Sequence, residues 1–432
     1  MRLSVSLMIL LVFMMPFEGK AEEGIKGGEA LSLEKCIAIA MKMHPDITAA
    51  KNTVNAAMSR VNQAKANYYP QVNWSASYSR ISPASGGSSL SSPSLRSADS
   101  YDQYSTGFNL SQNIYDFGKT PAQVNIQHLN LDSSRADLSS TTEQIIFSVK
   151  QAYYGVLRAK RNREVAGESV RQFQQHLEQA KGFYSAGISP KFDVTKAEVD
   201  LSNAKLNLIK AENSFRLAVV TLNNAMGITK VPEFAVEDNL SFVKYPIPFE
   251  TALSAANSNR PELKSLMAKK QAAETSVLLA KKGYYPALTG NAAYNWSGES
   301  FPLERGWNIG AALSFPLFSG FNTKYQVEEA RSNRSVLEAS EESLKQVIFL
   351  QVQQAYLSLM DAEERIPAAE LQVKQASENL DIANGRYTAG VGSPVEVTDA
   401  EVSLSNAKSA YIQALYDYKI AIASIEKAMG SK

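Results

Sequence analysis

Along this 432-residue chain the spacing of apolar positions switches twice from a helical period to strict alternation and back. Ile145, Val149, Ala152, Tyr153 and Val156 recur at intervals that suit one helix face, and Ile348, Val352, Ala355, Tyr356 and Leu359 repeat the pattern. The positions between them are rich in Gln, Ser, Asn, Lys and Glu. Each helix therefore offers a narrow apolar seam on a wet surface, which suits coiled-coil packing better than a globular core. Boundary signals predict helices over about 45–68, 122–183 and 191–226, and again over about 262–284, 322–386 and 394–429. At 1.5 Å per residue the long helix of the first set would span roughly 90 Å. The first and third helices of each set together approach that length, which predicts that they stack end to end along it.

Between the first and second helices of each set the period falls to two. Val72, Trp74, Ala76 and Tyr78 alternate with polar residues, and Phe108, Leu110, Gln112 and Ile114 do so more raggedly. Leu288, Gly290, Ala292, Tyr294 and Trp296, then Trp307, Ile309, Ala311, Leu313, Phe315 and Leu317, give the second pair. Four strands follow, over about 70–80, 104–116, 286–296 and 307–318, long enough for a tilted strand to cross a bilayer. Pro70 and Pro286 fall at the first strand residue, where a missing donor is tolerated. Tyr68, Tyr69, Tyr284 and Tyr285 just before them are predicted at the membrane interface. The plainer alternative is a two-stranded hairpin on a soluble helical protein, with these tyrosines in its core. Residues 81–103 form a 23-residue tract with nine serines, the composition of a long external loop; its counterpart near 297–306 is shorter.

The chain is one unit written twice. HPDI at 44–47 meets RPEL at 260–263, and AKANYYP at 64–70 meets AKKGYYP at 280–286, both at an offset of 216. Beyond the strands the offset is 203, where LSQNIYDFG meets LSFPLFSGF and QAYYGVL meets QAYLSLM. Residues 184–227 match 387–430 at 19 of 44 ungapped positions, including SNAK and a closing AMG. The expected divisions are a signal peptide at 1–21, an N-terminal segment at 22–44, repeat 1 at 45–227, a linker at 228–260 and repeat 2 at 261–430.

The signal reading rests on Arg2, the apolar run from Leu3 to Phe17, and the small residues Gly19 and Ala21. A formal charge of +1 argues against nucleic acid as a partner. Cys36 is the single cysteine, so no intrachain disulfide can form, and its helical surroundings predict a core position. No later segment has the eighteen or so consecutive apolar residues of a membrane helix. Four strands cannot close a barrel, and open edges are not tolerated in lipid. The chain is expected to oligomerise, and three copies would supply twelve strands.

The chain resembles the TolC-like outer-membrane efflux protein family. The resemblance is carried by LSLEKCIAIAMKMHPDI, YYPQV and YYPAL, NIYDFGK and FPLFSGF, the two turns GFYSAG and GRYTAG, and the duplicated SNAK, in that order along nearly the whole chain. It implies a mainly α fold with a membrane β-barrel, in which two tandem repeats of long helices and a β-hairpin trimerise into a twelve-stranded barrel on a periplasmic helical barrel. It implies an outer-membrane exit duct, docked by a periplasmic adaptor and fed by an inner-membrane transporter. Glu396 and Asp399 fall on the family's acidic constriction positions, Asp193 on the corresponding site of repeat 1 together with Lys196, and Tyr387 on the tyrosine that holds the tip closed. Ala186, Gly187, Ala389 and Gly390 fall on the adaptor-contact turns, and Gly392 stands where some members carry a bracing arginine. A threefold ring of paired carboxylates would favour cations and repel itself unless tethered. Against these roles, Glu396 and Asp399 could simply charge the positive end of a helix, and the Ala-Gly pairs could be turn residues alone.

His44, His128 and His176 are scattered, and no metal-ligand spacing or phosphate loop appears, so neither an enzyme nor a cofactor nor a bound metal is expected. Two other readings stay open: a duct for secreted proteins, and a soluble periplasmic coiled-coil scaffold.

Overall fold

The computed structural model describes residues 30–82, 100–229 and 234–431; the expected signal peptide and most of the serine-rich tract lie outside these residues. A short strand, β1 (Ala30–Leu31), leads to α1 (Leu33–Met43), whose first turn is capped by the Ser32 hydroxyl accepting from the Lys35 N–H. α2 (Pro45–Lys65) follows at once. Pro45 stands in its first turn, where a missing N–H costs nothing, and the His44 ring accepts from the Asp46 N–H at 3.2 Å. A 3₁₀ turn over 66–68 precedes β2 (Gln71–Ile81) and β3 (Tyr101–Tyr115), and α3 (Lys119–Ser185) and α4 (Lys191–Ala225) end the first half. The second half runs β4 (Ala235–Val236), α5 (Phe249–Asn259), α6 (Pro261–Lys281), a 3₁₀ turn over 282–284, β5 (Ala287–Gly298), β6 (Glu304–Ser314), α7 (Asn322–Thr388) and α8 (Pro394–Ala428).

The duplication is metric as well as sequential. α1 and α5 have 11 residues each, α2 and α6 have 21, α3 and α7 have 67, and α4 and α8 have 35. It also reaches further back than positions 45 and 261, because α5 begins 216 residues after α1, inside the stretch read from sequence as linker. LEKCIAIAMKM and FETALSAANSN share little identity, yet both bury small residues one turn apart, Cys36 with Ala40 and Ala252 with Ala256. Only the packed position of those residues makes the correspondence visible.

The helices form a single layer built on the two long ones. α2 and α4 lie along α3, while α6 and α8 lie between α3 and α7. The joint between stacked helices explains two of the repeated motifs. Gly227, at φ +74°, sits so close to the HP break that an added Cβ would stand 2.6 Å from the His44 Cα. Gly430, at φ +67°, meets the RP break in the same way, 2.9 Å from the Arg260 backbone nitrogen. The closing AMG of each repeat is therefore the seat for its own opening break, and only glycine fits there.

The main core lies at mid-height, where α1, α5 and the parallel pair β1–β4 pack on one side of the long helices. Val149, Tyr153 and Val156 of α3, and Ile348, Val352 and Leu359 of α7, are all buried there. Two tyrosines fasten the irregular chain that joins the repeats. The Tyr153 hydroxyl donates to the Glu237 carbonyl at 2.8 Å, and the Tyr418 hydroxyl donates to the Val243 carbonyl and accepts from the Tyr245 N–H, both at 2.9 Å. Cys36 is fully buried in this core, and burial pushes its thiol up to about 12, so it is unreactive.

The strands pair in the order β2-β3-β5-β6, all antiparallel. β2 and β3 extend further into the serine-rich tract than alternation alone suggests, because Tyr78 donates to Asp102 at 3.0 Å and stacks near Tyr104. β5 and β6 likewise leave a link of only 299–303. Pro70 and Pro286 lie one residue before their strands, outside the ladder that they could not join as donors.

Candidate functional site

The ladder register sorts the sheet into two chemically distinct faces. Val72, Leu110, Ala292 and Ile309 stand in one cross-strand row, and Trp74, Phe108, Tyr294 and Trp307 in the next. The adjacent rows, on the opposite face, are Asn73, Asn109, Ala293 and Asn308, then Ser75, Gly107, Asn295 and Gly306. The apolar row is open to the surroundings, with Trp307 74% and Ile309 75% exposed. A sheet with one bare aromatic face and one hydrophilic face matches lipid outside and water inside. Among the described residues β2 and β6 are its unpaired edges.

Tyr68, Tyr69, Tyr284 and Tyr285 lie where helix gives way to strand, all four about half exposed or more. Tyr285 stacks on Phe117 with centroids 5.9 Å apart, and Lys282 donates to the Phe117 carbonyl at 2.7 Å. These contacts hold Phe117 at a positive φ of 55°, which a bulky side chain adopts only when its neighbours enforce it. The equivalent turn of repeat 2 uses Gly320 and Phe321, and there Leu317, Phe318 and Phe321 remain exposed.

At the far end of the long helices the two hairpin turns are built alike. Gly187 and Gly390 take left-handed φ values of 74° and 75°, and each turn closes by helix-terminating hydrogen bonds, from Ile188 N–H to the Phe183 carbonyl and from Val391 N–H to the Arg386 carbonyl. Ala186, Gly187, Ala389 and Gly390 are all exposed at this tip. Gly392 has no space for a side chain, since a Cβ would lie 2.8 Å from the Tyr387 nitrogen. A brace comes instead from Arg386, whose guanidinium meets the Glu396 carboxylate at 3.2 Å and the Val391 carbonyl at 3.4 Å.

The predicted constriction residues thus fall into different situations. Glu396 is half exposed and paired with Arg386, Asp399 is exposed, and Asp193 is partly buried. Tyr387 is only 4% exposed, wedged between Phe183 at 5.3 Å and His176 at 5.1 Å, with its hydroxyl unpartnered. Burial, with the negative charge of Asp193 second, raises its phenol above the usual range.

Sequence reasoning missed the polar cluster behind this tyrosine. His176 of α3 is buried with Nδ1 unpartnered, and burial lowers its pKa, keeping the ring neutral. Asp200 of α4 accepts from Lys196 at 3.0 Å and from Thr398 of α8 at 3.1 Å. Glu401 of α8 is buried beside them, with one carboxyl oxygen unpartnered. Its place in the stripe Val397, Ala400, Glu401, Leu404 was the available signal, since that face is otherwise apolar. Among the described residues no helix is long and apolar enough to cross a membrane, and no group of three or more acidic, His or Cys side chains is placed to hold a metal ion.

The sequence model of the family described as Outer membrane efflux protein matches residues 37–228 and 252–431. The chain is 24% identical over 393 residues to the outer membrane protein TolC of Vibrio cholerae serotype O1, covering 87% of this chain and 85% of the relative. It is 23% identical over 409 residues to TolC of Escherichia coli strain K12, covering 90% and 80%. Among solved structures it superposes on CusC with a TM-score of 0.80 at 18% identity, covering 95% of this chain and 96% of the other. The Campylobacter jejuni CmeC outer membrane channel gives a TM-score of 0.80 at 19% identity, covering 92% and 85%. Both repeats are matched. The chain is an outer-membrane protein and belongs to the outer membrane efflux protein family.

Proposed function

We propose that three copies of this chain form a passive exit duct across the outer membrane, with the sheet as one third of a twelve-stranded barrel and the long helices as one third of a hollow cylinder. The carrying observation is the continuity of open edges from sheet to tip. β2 and β6 are unpaired, and an unpaired edge in hydrocarbon costs several kcal/mol for each group left unsatisfied. Below them, α4 exposes Phe192, Val199, Leu206, Ile209, Leu217 and Val220, and α7, at the other side of the layer, exposes Val336, Val347, Leu350, Leu357, Leu371 and Ile382. Roughly heptad spacing on both outer helices suits the packing of one copy's α4 against the next copy's α7, a heterologous contact that closes into a ring.

In this reading, a periplasmic adaptor docks on the exposed turns at Ala186–Gly187 and Ala389–Gly390 and links the duct to an inner-membrane transporter. Energy enters through that transporter, and the duct itself performs no catalysis. Asp399 supplies the standing negative charge at the constriction, with Asp193 from repeat 1. Glu396 adds to it when Arg386 releases it, and Tyr387 keeps the hairpin ends packed together.

Planar-bilayer recording tests both parts. Wild-type protein purified from outer membranes should give cation-selective channels, and the double variant Glu396→Gln with Asp399→Asn should lose much of that selectivity. Channels indifferent to the double variant reject the gate assignment and keep the duct, whereas a trimer that never conducts rejects the duct.

A further inference from the structure

We propose that Glu401 is a proton-operated latch between the two repeats: with its buried carboxyl protonated, the side-chain contact that joins α8 to α4 beneath the tip, Thr398 to Asp200, is held, and its ionisation loosens that contact. The proposal rests on reading the tip as the closing end of the duct, and it concerns a residue apart from the constriction carboxylates.

Glu401 is 3% exposed, and among the described residues its Oε2 finds no donor. The polar groups at this level of the tip come from every helix, and Asp200 is the charge that acts on Glu401 itself. α4 presents Asp200, Lys196 and, nearer the turn, Asp193; α3 presents His176; α7 presents Tyr387; and Thr398 stands one turn earlier on α8 itself. Lys196 is engaged by Asp200 at 3.0 Å, and Thr398 gives its hydroxyl proton to the same carboxylate at 3.1 Å. Neither is left to neutralise Glu401. His176 is itself held neutral by burial, so the cluster contains three carboxyl groups, Glu401, Asp200 and, nearer the turn, Asp193, against one engaged cation.

An ionised Glu401 would place an unpaired charge beside Asp200 in a region closed to water, which is unfavourable twice over. Burial first, and Asp200 second, raise its carboxyl to about 7. A carboxylic acid at this site can instead donate to a neighbouring oxygen, so protonation removes a charge and supplies a missing donor. The Thr398–Asp200 hydrogen bond makes the effect bear on both repeats, since it joins α8 to α4 directly. The matching residue of repeat 1, Glu198, is exposed on the open side of α4 and has no such role.

The test compares wild type with Glu401→Gln, which is neutral at all pH values and keeps the shape, and with Glu198→Gln as control. Amide hydrogen exchange, corrected for its intrinsic pH dependence, is followed over residues 191–204 and 394–407, alongside open probability in bilayers from pH 5.5 to 8.5. In wild type and in Glu198→Gln, tip exchange and open probability should rise about tenfold or more across that range, while Glu401→Gln stays near the low-pH value throughout. A Glu401→Gln tip that titrates like wild type, or a wild-type tip whose exchange is flat with pH, overturns the latch. Exchange that responds while open probability does not keeps the latch and overturns the reading of the tip as a gate, so the two failures are distinct.

Discussion

Repeats 1 and 2 have helices of equal length and much common sequence at the tip, yet they place equivalent residues in opposite environments. Tyr184 is 48% exposed, and its counterpart Tyr387 is 4% exposed. Glu198 faces solvent, and its counterpart Glu401 is buried. The cause is position in the layer: α4 packs along its length against α3 alone and meets α8 through the Thr398–Asp200 contact, whereas α8 is flanked by α3 and α7. Duplication supplied two similar hairpins, and lateral packing gave the second one an interior. The lesson is that a residue's role in a tandem-repeat wall depends on which neighbours flank its helix as much as on its local motif.

Substitutions made in matched pairs probe this comparison. The largest effect is expected where the repeats still agree. Gly227→Val and Gly430→Val each force a branched side chain onto a left-handed residue abutting backbone, and each should cost about 3 kcal/mol or abolish folding. Thermal unfolding of the detergent-solubilised protein measures it. If either variant were neutral, the seat between AMG and the HP or RP break would not be shared by both repeats.

Next comes the tyrosine pair. Tyr387→Ala removes a packed ring from between Phe183 and His176 and should cost about 3 kcal/mol, whereas Tyr184→Ala should stay within about 0.5 kcal/mol. Equal losses would mean that the open side of repeat 1 is covered at the tip.

The glutamate pair gives a pH-dependent version of the contrast. The folded pKa of Glu401 lies above its ordinary value, so the folded chain binds more protons than the unfolded chain between about 4.5 and 7, and stability falls as pH rises through that window. Glu401→Gln should therefore leave stability unchanged at pH 4 and raise it at pH 8, by on the order of 1–3 kcal/mol. Glu198→Gln should change neither. A gain for Glu401→Gln that is as large at pH 4 as at pH 8 would contradict the assigned ionisation.

The smallest effect belongs to Arg386→Gln. The exposed pair with Glu396 contributes only about 0–1 kcal/mol, so melting should barely move, but freeing Glu396 should strengthen cation selectivity at low salt. Unchanged selectivity would place Glu396 away from the conduit.

Much of this molecule was legible in the residues. The period of the apolar seam defined the long helices to within about three residues at each end, because helix ends carry local signals: Asp116 draws the start of α3 back to Lys119 by accepting from the Gly118 and Thr120 N–H groups. Alternation gave the four strands, and the register then showed that each apolar residue of the exposed face stands beside another. The short helices α1 and α5 stayed hidden, since their correspondence lies in two small buried residues instead of a shared motif. The arginine missing at position 392 could be read from sequence, but its replacement by Arg386 could not, because that depends on the path of the turn.

The sequence by itself determined the periods, the lengths, the duplication and the break points, all of which follow from local sterics and from the spacing of apolar groups along the chain. The tertiary structure alone decided which copy of each repeated residue is buried. Val194-Glu198-Leu201 and Val397-Glu401-Leu404 are the same pattern, and one glutamate meets water while the other meets Asp200. That choice depends on what lies beside the helix, and helix neighbours are contributed by residues some two hundred positions away.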